Sequence, residues 1–133
     1  MAMIGLDTNV VVRYLAQDDP VQSAKATQIF ERRLSEREPG FVSLVTMVET
    51  VWVLDSVYGL SAGEIARAVE RMLQADTLVI QNEQEVFTAM MALKSGEGSF
   101  ADALVGALGR WAGCGGTLTF DKKAGRLDGF VTV

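Results

Sequence analysis

Short apolar segments alternate with helical patterns along this chain, and this alternation limits the fold more than any other feature. The apolar segments are Met3–Leu6, GFVSLV from Gly40, TLVI at 77–80, TLTF at 117–120 and the closing GFVTV. Buried strands separated by helices are typical of a parallel sheet covered on both faces. We therefore predict a single α/β domain over residues 1–133, doubly wound, with a central parallel sheet of about four to five strands and helices on both faces.

Helical patterns fill the intervals between these segments. One predicted helix begins after Asp18 or Asp19, a second ends at Gly59, and a third starts with the capping box Ser61–Glu64. Two more span Glu83–Lys94 and Phe100–Trp111. The segment VVVRYL is ambiguous, because its valines favour a strand whereas Val12, Leu15 and Ala16 are spaced like one face of a helix. We expect the large apolar residues in the core rather than at an interface: Trp52, Met90, Met91, Phe100 and Trp111.

The chain has no histidine and one cysteine, Cys114. The lack of histidine removes the usual general base and the usual zinc ligand, and a single cysteine excludes an internal disulfide. Since no basic residue flanks Cys114 in WAGCGG, we interpret it as a small buried thiol. Any chemistry must therefore use carboxylates, hydroxyls, amides, lysines and arginines.

Hydropathy and charge set the expected location and binding mode. No uncharged apolar run approaches the roughly 18 residues that cross a bilayer, and no basic region precedes an apolar one at the N-terminus, so we predict a cytoplasmic protein with no membrane span. The net charge of −5 argues against coating nucleic acid through bulk charge. Local basic groups are candidates for phosphate contacts: Arg13, Lys122, Lys123 and Arg126. For the two lysines, ordinary surface charge explains the sequence equally well.

Four acids stand at positions where strands end or helices begin. Asp7 and Asp121 each follow an apolar strand, whereas Glu49 and Asp102 lie in the first turns of predicted helices. Because strand ends and the helix starts that follow them share one edge of a parallel sheet, all four can converge. Carboxylates held close together repel each other, so one stays protonated or a cation intervenes. Hard oxygen ligands without histidine or cysteine suit Mg²⁺ or Mn²⁺, which can activate water for phosphodiester cleavage.

Each of these acids also has a purely structural interpretation. Asp7 can cap the following helix, and Asp121 can be a turn aspartate paired with one of the two lysines after it. The segments Thr46–Glu49 and Ser99–Asp102 both have the spacing of a capping box. These alternatives stay open for each acid taken singly, and the shared edge is what favours a joint functional site.

The segments MIGLDTNVVVRYL, SLVTMVETVWVL, SFADALVGALG and TLTFDKKA together resemble a PIN-domain ribonuclease, most closely the VapC toxins of bacterial toxin–antitoxin pairs. The resemblance spans essentially the whole chain, with the segments in the family's order. It implies a PIN-like doubly wound fold with an acidic pocket that holds Mg²⁺ or Mn²⁺. The family's acidic quartet matches Asp7, Glu49, Asp102 and Asp121.

The resemblance has further implications. It makes Asp7 and Asp102 the main direct metal ligands, with Glu49 next and Asp121 acting through water. Asn9 and Thr119 match polar positions that support the site. It also implies cleavage of RNA, a homodimer, and a cognate antitoxin protein that occupies the groove and blocks the pocket. Finally, it makes VVVRYL a helix. Many relatives carry another acid where this chain has Ser99, whose role as a helix cap is a sufficient explanation.

The main alternative function is a receiver-like signalling domain, which accepts a phosphoryl group on an aspartate in an Mg²⁺-binding acidic pocket. Such a domain normally has adjacent acids after its first strand, whereas Thr8 and Asn9 follow Asp7. A metal-dependent phosphatase is less favoured, because its nucleophile motif has a second aspartate where Asn9 stands. A nuclease fold that only binds is a further alternative, and the presence of all four acids argues against it.

Overall fold

The structure is a computed structural model that describes residues 2–133. Strands and helices follow one another as the sequence predicts. The strands are β1 (Ile4–Gly5), β2 (Gly40–Val42), β3 (Leu78–Ile80), β4 (Thr117–Thr119) and β5 (Phe130–Thr132). The helices are α1 (Thr8–Ala16), α2 (Gln22–Gln28), α3 (Leu44–Ser56), α4 (Ala62–Gln74), α5 (Glu83–Lys94) and α6 (Phe100–Trp111). A π-helical turn, Ile29–Arg33, continues α2, and a 3-10 turn, Ala124–Arg126, lies between β4 and β5.

The strands form two separate parallel sheets. β1, β2 and β3 pair in that order, with β2 in the middle, whereas β4 pairs only with β5. The predicted α/β class with parallel strands is confirmed, but the prediction of one central sheet of four to five strands is not, because no ladder joins β1 to β4 within residues 2–133. β1 is two residues long, since Asp7 already caps the next helix. So short a strand offers few backbone groups for a second ladder on its outer edge.

The ambiguous segment VVVRYL is helical and lies within α1, as the family resemblance implies. The helix begins at Asp7, whose Oδ1 accepts a hydrogen bond from the Thr8 N–H at 2.8 Å. Val11 and Val12 are buried against the core. The burial of these side chains outweighs the modest helix propensity of valine, which is why the segment is not a strand.

The helix predicted to begin after Asp18 or Asp19 starts at Gln22, and Asp19 holds the turn before it. Its Oδ1 accepts hydrogen bonds from the backbone N–H groups of Val21 at 3.0 Å and Gln22 at 2.8 Å. The inner face of the helix contains Ala26, and the π-helical turn brings Phe30 and Leu34 onto the same side. The Phe30 ring stacks on Tyr14 of α1, with centroids 4.2 Å apart and planes 7° from parallel. This stack joins α1 to the end of α2.

The predicted bounds of α5 and α6 are confirmed, as is the capping box of α4. The Glu64 carboxylate accepts the Ser61 N–H at 3.0 Å, and the Ser61 hydroxyl accepts the Glu64 N–H at 3.2 Å. The core between the three-stranded sheet and the helices contains fully buried side chains from several elements: Val42, Met47, Leu54, Val69, Val86 and Met90. Within residues 2–133, no helix has the length and apolar character needed to cross a membrane.

Several large apolar residues predicted for the core lie on the surface instead. Met90 and Phe100 are buried as predicted, but Trp52 is 63% exposed and Trp111 66% exposed, and Met91 is also exposed. α3 is apolar on most of its circumference, so periodicity does not reveal which of its faces meets the core.

Cys114 was also predicted to be buried, and this is wrong because the residue is exposed. It lies in the glycine-rich loop after α6, where Gly113 has a φ of +95°. Such a loop runs over the surface because its backbone polar groups need water.

The two-stranded sheet packs on α6 through a glycine. A Cβ added to Gly106 would come within 2.6 Å of Cε2 of Phe130, so only a residue without a side chain permits this approach. The contact attaches β5 to α6, the helix that carries Asp102.

Candidate acidic site

One residue hydrogen-bonds two of the four candidate acids. The backbone N–H of Thr8 donates to Asp7 Oδ1 at 2.8 Å, and its hydroxyl donates to Glu49 Oε1, also at 2.8 Å. Close by, the Thr46 hydroxyl, one turn before Glu49, donates to the backbone carbonyl of Leu6 at 3.4 Å. The start of α3 is therefore attached to the end of β1, and Asp7 and Glu49 lie together at the edge where β1 ends.

Glu49 is not part of a capping box. The cap of α3 is Ser43, whose hydroxyl accepts the N–H of Thr46 at 3.1 Å. Glu49 therefore lies beyond the first turn, on the exposed side of the helix. The structural interpretation of Thr46–Glu49 is wrong, and the role of Glu49 must be sought in its contact with Thr8.

Asp102 lies in the first turn of α6, and Ser99 caps this helix by accepting the Asp102 N–H at 3.1 Å. The interpretation of Ser99 as a cap is confirmed. The capping box is only half formed, because the Asp102 carboxylate makes no return bond to Ser99. This half-buried carboxylate accepts no hydrogen bond from a protein group in the part of the chain that the structure describes.

Asp121 holds the turn after β4. Its Oδ1 accepts the backbone N–H groups of Lys123 at 2.7 Å and Ala124 at 3.2 Å, and its own N–H donates to the Thr119 hydroxyl at 3.0 Å. The turn interpretation is thus correct, but pairing with lysine is not, since across residues 2–133 Asp121 forms no ion pair with Lys122 or Lys123. Thr119 supports this turn through its hydroxyl.

The four acids do not form a closed cluster. Among the described residues, no group of three or more acidic, histidine or cysteine side chains is arranged to hold a metal ion. Asp7 and Glu49 share Thr8, whereas no hydrogen bond in residues 2–133 connects Asp102 or Asp121 with that pair. α3 and α6 do contact each other, which keeps Glu49 and Asp102 on neighbouring elements.

The chemistry of these donors nevertheless fits a hard divalent cation. In residues 2–133 the one ion pair joins Arg13 to Asp18, so the carboxylates of Asp7, Glu49 and Asp102 have no basic partner. Mg²⁺ in phosphoryl-transfer sites is commonly held by about one or two carboxylates, with water and substrate phosphates as its other ligands. The pair joined by Thr8 can supply such a minimal set without a closed protein cage.

Arg13 belongs to a hydrogen-bond network at the other end of α1. Its Nε donates to Gln22 at 2.7 Å, and its Nη1 donates to the Tyr58 hydroxyl at 3.0 Å and to Asp18 at 3.4 Å. The Tyr58 hydroxyl donates to Asp18 at 2.6 Å, which lowers the pKa of the Asp18 carboxyl and raises the pKa of the Tyr58 hydroxyl. The network gives Arg13 a structural role, and its contact with RNA stays a prediction.

Asn9 is exposed and follows Thr8 directly. It lines a groove of about 290 Å³ between α1 and α2, together with Arg13 and Lys25. Two basic residues therefore line the same groove as Asn9.

Sequence reasoning overlooked Thr8. The sequence predicts a helix cap at Asp7 and distinguishes the chain from receiver domains at Thr8, but it predicts no contact of the Thr8 side chain. A threonine that directly follows a strand-end aspartate has a hydroxyl able to reach a neighbouring helix. The sequence does not reveal that its partner is Glu49.

Comparison with protein-family models matches residues 4–129 to the PIN domain. The matched range contains Asp7, Glu49, Asp102 and Asp121. Comparisons with curated proteins and with solved structures give no match. PIN domains are generally metal-dependent nucleases, so the match supports a nuclease-type hydrolase. By this match over nearly its entire length, the chain belongs to the PIN domain family.

Proposed function

We propose that this protein is a metal-dependent endoribonuclease and the toxin of a VapBC-type toxin–antitoxin pair. The observation that carries the proposal is the hydrogen bonding of Asp7 and Glu49 to the same threonine, in a chain of the PIN family. Two carboxylates without basic partners, joined at the end of a strand, suit a cation and a phosphate better than they suit a structural role.

Each acid has a proposed task. A bound Mg²⁺ or Mn²⁺ would supply activation of the attacking water and stabilisation of the oxygen that leaves phosphorus. Asp7 and Asp102 would hold the ion directly, Glu49 would complete the set, and Asp121 would act through water. Thr8 holds the Glu49 carboxylate in one orientation, so less ordering is needed when the ion binds.

Basic side chains supply the proposed contacts with RNA. Lys122 and Lys123 are exposed and make no ion pair within residues 2–133, so their charge is available to phosphates. Lys25 borders the groove beside Asn9, and Arg13 also lines this groove while its charge is paired with Asp18. Local positive charge of this kind can offset the acidic net charge at the surface where the backbone of the RNA lies.

A homodimer and a cognate antitoxin are the proposed protein partners. Exposed apolar side chains on two helices support them: Val45 and Trp52 on α3, and Val105 and Trp111 on α6. Large apolar residues on a surface gain free energy when a partner removes them from water. No observation favours the receiver-like alternative, because Thr8 stands where a second acid is normally found and its hydroxyl binds Glu49.

The decisive experiment incubates purified protein, freed of any co-purifying partner, with total cellular RNA. Mg²⁺ or Mn²⁺ is compared with excess chelator, and Asp7→Asn is compared with Glu64→Gln, a variant in the cap of α4. We expect discrete products that require metal and Asp7 but not Glu64, and mapping of their ends identifies the target. Intact RNA under all conditions, combined with phosphoryl uptake from a small donor, would replace this proposal with the receiver-like function.

A further inference from the structure

Phe120 is the most exposed large apolar side chain of the described residues, with 86% of its surface open to solvent. It follows β4 directly and precedes Asp121. A ring so exposed contributes little to folding, because apolar side chains stabilise a fold by leaving water. An exposed aromatic residue beside a candidate catalytic acid is instead suited to contact a ligand.

Basic residues follow Phe120 on the same turn. Lys122, Lys123 and Arg126 are all exposed, and none forms an ion pair in the described part of the chain. The carboxylate of the adjacent Asp121 accepts backbone N–H groups through its Oδ1 and so fixes the turn. The turn therefore presents an aromatic ring and uncompensated positive charges from a defined backbone.

We propose that Phe120 stacks on an unpaired base of RNA while Lys122 and Lys123 contact the adjoining phosphates. This inference rests on the proposed ribonuclease function and assigns to Phe120 the contact that distinguishes an unpaired base from a paired one. Unpaired bases expose a face that stacks on an aromatic ring, and neighbouring cations bind the backbone without regard to sequence. Bases within a duplex are already stacked on each other, so a duplex gains nothing from the ring.

A protein is the other conceivable occupant of this surface. Leu118 and Val131 are opposite each other in the ladder of β4 and β5, and both are exposed, as is Val133. The positive charges near Phe120 favour RNA over a protein as the occupant. The three basic side chains beside Phe120 complement a polyanion, whereas an apolar protein surface would have to remove their water without replacing it.

The test measures binding of a labelled single-stranded RNA oligonucleotide in excess chelator, where no cleavage occurs, with a duplex of the same sequence as control. Phe120→Leu keeps an apolar side chain but removes the aromatic face, and Phe120→Tyr keeps the face. We expect Phe120→Leu to weaken single-strand binding roughly five- to a hundredfold and Phe120→Tyr to retain it. Duplex binding should be the same in all three proteins.

The salt dependence of binding distinguishes the contribution of the Phe120 ring from that of the two lysines. Replacing Lys122 and Lys123 by glutamine should reduce the slope of log affinity against log salt by about 0.7 for each charge, because each phosphate contact releases counterions. Phe120→Leu should leave that slope unchanged.

Equal affinity of wild type and Phe120→Leu for the single strand overturns the inference. A change of oligomeric state in Phe120→Leu, measured by light scattering, with unchanged RNA affinity also overturns it and assigns the surface to a protein. Cleavage is measured separately. If the protein cleaves RNA with metal but binds it equally well without the Phe120 ring, this inference is rejected and the proposed ribonuclease function is retained. If binding depends on Phe120 but no metal supports cleavage, the proposed ribonuclease function is rejected and the RNA-binding role of this surface is retained.

Discussion

The hydroxyl of Thr8 donates a 2.8 Å hydrogen bond to the carboxylate of Glu49, which lies 41 positions further along the chain. The bond connects the first residue of α1 with the exposed side of α3. Because the N–H of Thr8 also binds Asp7, this residue fixes two acids relative to each other. The separation of the two carboxylates therefore depends on a side chain that need not touch substrate.

Thr8→Val should test this positioning role, since valine has the shape of threonine without the donor. We expect cleavage to slow by about tenfold, the effect of one hydrogen bond to a charged group. The metal concentration for half-maximal rate should rise, because Glu49 is then free to adopt other rotamers. Rates measured across a metal titration check this, and Thr8→Ser should restore both quantities. An unchanged metal requirement in Thr8→Val would argue that Glu49 is oriented by something else.

Asp7 has a structural and a proposed catalytic role, and two substitutions separate them. Asparagine caps a helix as well as aspartate does, so Asp7→Asn should keep the wild-type Tm while cleavage falls by roughly two to four orders of magnitude. Asp7→Ala should lose cleavage and also about 1 kcal/mol of unfolding free energy. Thermal unfolding and single-turnover cleavage measure the two effects. Wild-type cleavage by Asp7→Asn would rule out the acidic-site mechanism.

Asp102 and Asp121 should differ in their importance. The Asp102 carboxylate accepts no hydrogen bond from the described protein groups, whereas one oxygen of Asp121 already accepts two. We expect Asp102→Asn to reduce both Mn²⁺ affinity and cleavage more than Asp121→Asn does. Isothermal titration with Mn²⁺ and parallel rate measurements compare them, and the opposite order would make Asp121 the direct ligand.

Glu64 should contribute to stability only while it is ionised. Its hydrogen bond from the Ser61 N–H holds the pKa of the carboxyl below its ordinary value. Because the pKa is lower in the folded state, the stabilisation is present above the unfolded-state pKa and is lost as pH falls through the folded-state pKa. Wild type should thus have a higher Tm than Glu64→Gln at neutral pH, and the difference should shrink as pH falls below the ordinary glutamate pKa of about 4.3 and vanish once pH is below the lowered folded-state pKa. Thermal unfolding across pH measures this, and a pH-independent difference would contradict the assignment.

Gly106 should tolerate no side chain while Phe130 is present. Gly106→Ala gains helix propensity of about 1 kcal/mol, but the new methyl group meets the Phe130 ring. We expect a net loss of about 1–2 kcal/mol in urea unfolding, because a packed ring cannot move aside without cost. Combining it with Phe130→Leu should cost less than the sum of the two single changes. Strict additivity would show that the two residues do not press on each other.

The sequence predicts the elements of this fold better than their arrangement. α5 and α6 have their predicted bounds because local signals mark them, such as the Ser99 cap. The valines around Val12 favour a strand by propensity, yet they form a helix that is stabilised by their burial. A local sequence pattern does not show that burial. The separation of β4 from β1 was not predictable either, since ladder pairing depends on contacts between distant segments. Trp52 is exposed because α3 is apolar on most sides and only packing selects its inner face.

For the candidate site, the predicted topology was more informative than any sequence motif. Parallel strands and the helices that follow them predict that Asp7 and Glu49 share an edge, and the hydrogen bonds of Thr8 agree with that. The identity of the bridging residue depends on a rotamer and could not be predicted. The exposure of Phe120 was equally hidden, because TLTF has the composition of a buried strand.

The Thr8 bridge joins Asp7 and Glu49, whereas Asp102 and Asp121 are translated later than both. A ribosome that stops before residue 102 releases a fragment with the bridged pair but without the other two carboxylates. If all four acids are needed, such fragments cannot cut RNA.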